Sequence, residues 1–312
     1  CFRKRCMTHL PHRIFPLPFI VRGKHLFSVP LRLAVSEASL PDVLGGRAAR
    51  ELAEQSLPSG VDGMLQRCVA DPGWRTHTVH DNRIAYVLTR DVWHYLAWAG
   101  CYERFLEGRF SAKTRESFER DEARFIDQFG RAGTGAGGLD LREYSTSGEI
   151  AEFRRHAAAI SAADGVAGIP GTDIDPGPAA ERGELKGFVL FADSMPVACV
   201  CLLASGETLR YVCSGERDDF RQWSAGTITH LQAFQRLFAD PRYRYVDFRP
   251  GESELKRQFA NGALRSAVVL NLRPTLRNRL LLAAYGLSSR ASGAGGASPA
   301  SDLIRAQLAL LD

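Results

Sequence analysis

Residues 208–259, TLRYVCSGERDDFRQWSAGTITHLQAFQRLFADPRYRYVDFRPGESELKRQF, contain two strand patterns, each followed by a helix pattern. Residues 208–214 alternate β-forming side chains and predict a strand, which the polar loop 215–220 ends. Residues 221–227 follow, and they include the small residues Ser224, Ala225, Gly226 and Thr227 where the next helix begins. That helix is predicted from apolar residues at helical spacing, namely Ile228, Leu231, Phe234 and Phe238.

A helix that begins after small residues is suited to binding an anion. Its first backbone N–H groups have no partner inside the helix and lie at the positive end of the helix dipole. The sequence therefore predicts a pyrophosphate-binding loop, to which Arg221 adds positive charge. The alternative is an ordinary tight turn with Ser224 as the helix N-cap. The predicted loop comprises Arg221, Gln222, Trp223, Ser224, Ala225, Gly226 and Thr227.

Three segments resemble motifs of known acyltransferases. The spacing Arg221-x-x-Ser224-x-Gly226 resembles the (Arg/Gln)-x-x-Gly-x-(Gly/Ala) acyl-CoA loop of the GNAT N-acyltransferases, with Ser224 in place of the first glycine. Residues 246–259, VDFRPGESELKRQF, resemble the DFGxGxxxYK signature of the CelD-like branch, named for cellulose biosynthesis. Arg249 replaces a glycine of that signature, and Leu255 replaces its tyrosine. Residues 110–120, FSAKTRESFER, are similar to the LSxKxRxxLRR helix of the same branch.

The resemblance implies a mixed α+β protein with the GNAT fold in two lobes. Residues 1–130 would form a degenerate N-terminal lobe, and residues 139–287 the acyl-CoA-binding domain. The glycine-rich segment 131–138 separates them, and residues 288–312 are expected to form a flexible tail with a short helix. In the second domain the strand at 209–213 would splay from the Asp247 strand and admit the pantetheine arm of the donor.

The resemblance also implies direct transfer, in which an amine or hydroxyl group attacks the thioester. Asp247 is a candidate general base or a partner that orients Lys256, and Lys256 is a candidate ligand of the oxyanion or of an acidic acceptor group. Tyr211 is a candidate acid for the leaving thiolate. Each residue also has a structural interpretation: a buried carboxylate paired with an arginine, a surface lysine and a packed strand tyrosine.

Three further residues are candidates for contact with the acceptor. Lys113 and Arg115 stand near the start of a charged helical region at 102–129 and would hold an anionic group, although charge runs on helices are usually a solvated face. Glu252 is first a residue suited to a helix start by its charge, and second a base. His230 is expected on the surface of its helix.

Upstream, the sequence predicts extended strands between residues 11 and 35 and a hairpin over 74–88. Segments 47–55 and 63–70 are predicted to be helices. Ile304 and Leu308 are among the residues through which a C-terminal helix would dock.

Composition restricts the class of protein and its compartment. The net charge of +5 is spread along the chain, which favours an anionic cofactor over nucleic acid. The seven cysteines have no metal-type spacing, and Cys199 and Cys201 are predicted to be core thiols, which indicates a reducing cytoplasm. No apolar run reaches the length of about 18–20 residues that crosses a bilayer.

The predicted function is transfer of an acetyl or longer acyl group from acyl-CoA to an amino or hydroxyl group. The resemblance points to a sugar or exopolysaccharide precursor as the acceptor, with no metal. One alternative is an aminoacyltransferase of the FemABX type, which shares this organisation and would use aminoacyl-tRNA. Another is a non-catalytic scaffold in polysaccharide assembly, since Ser224 and Leu255 replace usual motif residues.

Overall fold

The computed structural model describes residues 11–47, 57–74, 77–80, 82–98, 100–130, 138–163, 177–291 and 299–309. Within them the chain is mixed α+β, as predicted. The strands are β1 His12–Val21, β2 Lys24–Glu37, β3 Gly63–Ala70, β4 His77–His80, β5 Arg83–Ala97, β6 Asp140–Tyr144, β7 Leu185–Ala192, β8 Met195–Ser205, β9 Thr208–Glu216, β10 Tyr245–Pro250 and β11 Gly262–Leu272. The helices are α1 Leu40–Leu44, α2 Tyr102–Arg109, α3 Ala112–Phe129, α4 Ile150–Ala163, α5 Gly177–Glu181, α6 Ala225–Phe238, α7 Glu254–Phe259, α8 Leu276–Ala291 and α9 Pro299–Ala309.

The chain divides into two compact units. Unit 1 consists of Cys1–Trp93, Pro250–Glu252 and Leu264–Asp312, and unit 2 of His94–Arg249 and Ser253–Ala263.

Unit 1 is a sheet with the strand order β1-β2-β3-β11-β5, and β4 pairs with β5. Its core combines alternate residues of β1, such as Phe15 and Leu17, with apolar residues of α8 and α9. Ile304 and Leu308 of α9 are buried in that core, at 1% and 7% exposure, so the predicted docking of the C-terminal helix through these two residues is confirmed.

Strand β3 corrects the prediction of a helix at 63–70. It pairs in parallel with β2 and antiparallel with β11, and all of its residues except Ala70 are buried. A strand covered on both faces does not alternate between apolar and polar residues, and in β3 the polar Gln66 and Arg67 are buried with the rest, so its pattern does not distinguish it from a helix. The helix predicted at 47–55 lies, apart from Arg47, outside the described residues.

Unit 2 contains the strand order β10-β9-β8-β7-β6. The long helical region predicted at 102–129 is two helices, because Ser111 caps α3 by accepting a hydrogen bond from the Thr114 N–H at 3.2 Å. Helix α6 supplies one side of the core, with Ile228, Phe234 and Leu237 buried at 3% exposure or less.

Strands β9 and β10 pair over only three residues and then separate. Tyr245 to Asp247 pair in parallel with Thr208 to Arg210, while β9 continues to Glu216. Tyr211 on β9 and Phe248 on β10 are the first residues after the last pair, and the opening that begins between them is called the wedge below. The end of pairing after Arg210 agrees with the predicted splay of the 209–213 strand from the Asp247 strand, although Leu209 and Arg210 still pair with that strand.

Candidate active site

The start of α6 lies directly after a tight connection from β9. A 3₁₀ helix, Asp218–Trp223, ends at Ser224, whose φ of 55° and ψ of 32° are left-handed, and α6 begins at Ala225. Ser224 is the N-cap residue of α6, as in the alternative interpretation, but its hydroxyl donates to Asp121 Oδ2 of α3 at 2.9 Å and makes no cap hydrogen bond. The loop thus fixes the start of α6 through contact with another helix.

A carboxylate already occupies the position where an anion was predicted. Glu216 Oε1 accepts a hydrogen bond from the Gly226 N–H at 2.6 Å. A charged acceptor at a helix N-terminus is stabilised by the unpaired N–H groups and the dipole, as a phosphate would be. The sequence placed residue 216 in a polar loop, whereas it is the last residue of β9, and β9 brings its side chain to α6.

Arg221, Gln222 and Trp223 of the loop have protein partners. Arg221 pairs with Asp218 at 2.6 Å, and both side chains are exposed, at 68% and 60%. Gln222 donates to the Asp219 carbonyl at 3.5 Å. Trp223 packs edge-on against Phe129 of α3, with ring centroids 5.3 Å apart, and Arg124 lies 5.3 Å from the Trp223 ring. The surroundings of the loop are therefore richer in carboxylates than the sequence motif indicated.

A tyrosine and a histidine meet at the mouth of the wedge. The Tyr211 hydroxyl lies 3.1 Å from His230 Nε2, and His230 Nδ1 lies 2.7 Å from the Gly226 carbonyl oxygen. A carbonyl oxygen only accepts, so Nδ1 carries the proton and donates, and Nε2 accepts from the Tyr211 hydroxyl. The Tyr211 ring also contacts Phe248 of β10, with centroids 5.5 Å apart.

Burial sets the protonation of this pair. His230 is 3% exposed and stacks on Phe259 at 5.2 Å, so its predicted position on the helix surface is wrong. Burial lowers the pKa of His230 to about 4 and raises the pKa of Tyr211 above its usual range. At neutral pH the pair is a neutral imidazole and a protonated phenol. One signal for burial was available in the sequence, since His230 precedes the apolar Phe234 by one helical turn.

Asp247 and Lys256 converge on one turn. Asp247 is 5% exposed and its Oδ1 accepts from the Arg249 N–H at 2.7 Å, while Lys256 Nζ donates to the Arg249 carbonyl at 3.0 Å. Arg249 has φ 65°, a left-handed conformation that favours glycine. Arg249 therefore takes a glycine conformation at the position where the resembled signature has glycine, and both candidate residues stabilise the turn.

The three predicted acceptor-binding residues lie at helix starts or turns. Lys113 is exposed in the first turn of α3. Arg115 Nη1 lies 3.8 Å from Glu107 Oε1 of α2. Glu252 is exposed in the turn before α7.

Comparison with known proteins agrees with this local geometry. Residues 177–257 match the family described as an acetyltransferase (GNAT) domain. The match covers about a quarter of the chain and extends from α5 to Arg257 of α7, so that it contains the wedge, the start of α6, Asp247 and Lys256. The GNAT resemblance is thereby confirmed for this segment, while the CelD-like branch stays a prediction.

No curated protein matches the chain. Among solved structures, FemX is 8% identical and covers 87% of this chain and 90% of its own, with a TM-score of 0.49. The structure of L-PGS from Bacillus licheniformis is 10% identical, with 82% and 84% covered and a TM-score of 0.40. A GCN5-related N-acetyltransferase from Kribbella flavida is 13% identical, with 79% and 84% covered and a TM-score of 0.35. Sequence identities and TM-scores this low do not support an inference about function.

The cysteines, the metal-binding residue types and the long helices were the other features for which the sequence made predictions. Cys199 and Cys201 are buried at 1% and 2% exposure, as predicted, and burial raises the pKa of the Cys199 thiol to about 12. Among the residues that the structure describes, no group of three His, Cys, Asp or Glu side chains is placed to hold a metal ion. In the same part of the chain, no helix has the length and apolar character needed to span a membrane.

Proposed function

We propose that this chain is an acyltransferase that moves an acyl group from acyl-CoA to an amine or hydroxyl group. The wedge between β9 and β10, inside the segment that matches the GNAT domain, is the observation that carries the proposal. Beyond the three paired residues β9 and β10 no longer bond each other, and an extended pantetheine arm would lie between them. Gly226 in the first turn of α6, four residues before His230, is linked to the wedge through the hydrogen bonds of His230 with the Gly226 carbonyl and the Tyr211 hydroxyl.

The N–H groups at the start of α6 would hold the donor's pyrophosphate, with the segment 221–227 around it. Glu216 must turn away for this to happen, since its carboxylate now accepts the Gly226 N–H. A charge-assisted hydrogen bond contributes about 1.5–3 kcal/mol, so this competition weakens donor binding by roughly one to two powers of ten. We therefore expect weak donor affinity in the resting conformation.

Tyr211 supplies the proton chemistry in this proposal. One proton must leave the attacking nitrogen or oxygen and one must reach the departing sulfur. Tyr211 gives its hydroxyl proton to the sulfur, and Asp247 takes the proton from the attacking nitrogen or oxygen; Asp247 then releases that proton to solvent and the Tyr211 phenolate regains one, so the enzyme ends unchanged. His230 acts as a positioning residue, because its Nε2 holds the Tyr211 hydroxyl in place before reaction, and the O–H turns from Nε2 to the sulfur.

Asp247 and Lys256 would act at the base of the wedge. Lys256 Nζ donates to the Arg249 carbonyl. From there its flexible, positively charged side chain would turn to an oxyanion or to an acidic group of the acceptor. Asp247 would accept a proton from the acceptor. Asp247→Asn separates this role from the support of the turn, because the amide oxygen still accepts from the Arg249 N–H while the base is lost.

The acceptor follows from the resemblance to the CelD-like branch, which favours a sugar or exopolysaccharide precursor. Lys113, Arg115 and Glu252 are the residues proposed to contact it. The two-lobe division at residues 131–138 and the cytoplasmic location stay predictions at this level.

A second candidate is transfer from aminoacyl-tRNA, the FemABX-type alternative. The bond between Glu216 and the Gly226 N–H favours it, since a donor without a pyrophosphate at α6 does not compete with that carboxylate. The bond between Glu216 and the Gly226 N–H is also compatible with a scaffold role, in which neither acyl-CoA nor aminoacyl-tRNA needs to bind.

Calorimetric titration with acetyl-CoA tests the first candidate. A Cβ at Gly226 would lie 3.0 Å from the Glu216 carboxyl carbon, so Gly226→Glu places bulk and charge at the assigned site, and we expect it to abolish binding. Gly108→Glu is the matched control, because a Cβ at Gly108 meets no atom within 4 Å. Equal binding by both variants would contradict the assigned site, and absence of binding by the wild type would leave aminoacyl-tRNA as the next donor to assay.

A further inference from the structure

Helix α8 in unit 1 carries an exposed row of leucines. Leu276, Leu280 and Leu287 are 74%, 62% and 66% exposed. Their spacings of four and seven residues place them on one side of the helix. The opposite side carries Leu282 and Tyr285, which are buried in the core of unit 1 at 6% and 3% exposure. The three leucines, called the leucine stripe below, are therefore not needed for the packing of α8 on its own unit.

Positive charge lies on both sides of the leucine stripe. Arg277 and Arg279 are exposed, and successive helix positions about 100° apart place them on opposite flanks of the stripe. Arg277 is 67% exposed and its Nη1 lies 3.6 Å from Asp62 Oδ1. The sequence of α8 contains no Asp or Glu. An apolar row with basic flanks and without acidic residues is typical of helices that lie at the surface of an anionic membrane.

The turn between β1 and β2 repeats this chemistry in the same unit. Residues 22–27, RGKHLF, are all exposed, with Leu26 at 59% and Phe27 at 52%. Phe27 stacks on Phe19 at 4.7 Å, and Phe19 in turn meets Tyr285 of α8 edge-on at 5.7 Å. This basic and apolar turn is linked through Phe19 to Tyr285 of α8, on the side opposite the leucine stripe, so it is a separate surface of unit 1 and not an extension of the stripe.

We propose that the leucine stripe binds the surface of an anionic lipid bilayer. The three leucines would enter the boundary between head groups and acyl chains, and Arg277 and Arg279 would meet lipid phosphates. A second copy of this chain is the poorer occupant. A two-fold contact through the stripe would bring Arg277 and Arg279 of both copies together. Asp62 already pairs with Arg277, and α8 itself offers no carboxylate for Arg279, so the Arg279 side chains would repel each other.

The test is co-sedimentation of the full chain with vesicles of phosphatidylcholine alone and with vesicles of phosphatidylcholine and phosphatidylglycerol in equal amounts. We expect binding to the anionic vesicles, weakened by salt. A double variant with Leu276→Ser and Leu280→Ser should reduce that partitioning by about tenfold. Leu44→Ser is the control, because Leu44 is also exposed, at 40%, and lies on α1 of the same unit.

A second pair of variants tests the charges. Arg277→Gln should weaken binding to anionic vesicles and reduce its dependence on salt. Arg244→Gln should change neither, although Arg244 matches Arg277 closely, with 70% exposure and a carboxylate of Glu207 at 3.7 Å. Failure of the wild type to bind anionic vesicles would overturn the proposal. So would equal binding by the leucine double variant, or a dimer in analytical ultracentrifugation that Leu280→Ser converts to monomer.

Discussion

At the scale of single residues, the buried pair Tyr211 and His230 is the least expected feature of the site. The sequence indicated Tyr211 but put His230 on the surface, because a histidine in an amphipathic helix is ordinarily exposed. Its burial depends on Phe259, which lies 29 positions later and stacks on the imidazole at 5.2 Å. A contact at that separation is not encoded in the helical pattern of residues 225–238.

His230 makes stability depend on pH in a defined direction. Its pKa is about 4 in the folded chain against 6.5 for the free side chain, so the unfolded chain binds the proton first as the pH falls. Stability is therefore lost between those two pH values. Between pH 7 and pH 5, in urea unfolding, the wild type should lose about 2 kcal/mol more than a His230→Gln variant. Equal losses in the wild type and His230→Gln would refute the assignment.

At the scale of elements, the turn from β10 to α7 explains why two candidate catalytic residues are also structural. Asp247 and Lys256 bond the N–H and the carbonyl of Arg249, which is held at φ 65°. The sequence motif predicted the turn. The position at which the resembled signature has glycine is the position with the left-handed backbone, although Arg249 stands there in this chain. The catalytic roles of Asp247 and Lys256 stay predictions.

The left-handed conformation of Arg249 predicts an inverted preference between alanine and glycine. Both substitutions remove the arginine side chain, so their difference isolates the backbone. Arg249→Gly should be more stable than Arg249→Ala by about 1 kcal/mol, because only glycine adopts this φ without steric cost. At Arg244, which has no positive φ, alanine should be equal or better. Thermal unfolding of the four variants measures this, and a more stable Arg249→Ala would contradict the geometry.

Prediction of elements from the sequence succeeded where one face of an element is buried and failed where both are. The strand β9 and the helix α6 follow alternating and helical patterns, and their existence was predicted. The strand β3 has no such pattern, because it has partners on both sides and cover on both faces, and even its central polar residues Gln66 and Arg67 are buried. Glu216 could not be found in the same way, since its partner is a backbone N–H ten residues away across a tight turn.

At the scale of the whole molecule, three features of unit 2 that lie far apart in the chain meet at the candidate site. Helix α3 holds the loop before α6 through Asp121 and Ser224, β9 delivers Glu216 to the Gly226 N–H, and β10 opens the wedge. The first and last of these agree with an acyl-CoA site, while Glu216 competes with the donor's pyrophosphate. We expect the Glu216 carboxylate and the donor's pyrophosphate to use the same N–H groups at the start of α6.

The most direct test of that claim is calorimetric titration of acetyl-CoA into a Glu216→Gln variant beside the wild type. Removing the competing charge should strengthen binding by roughly tenfold or more. Glu207→Gln, a change at another half-exposed glutamate of unit 2, should leave the affinity unchanged. If Glu216→Gln binds acetyl-CoA no more tightly than the wild type, the start of α6 is not the pyrophosphate site, and the acyl-CoA account is contradicted.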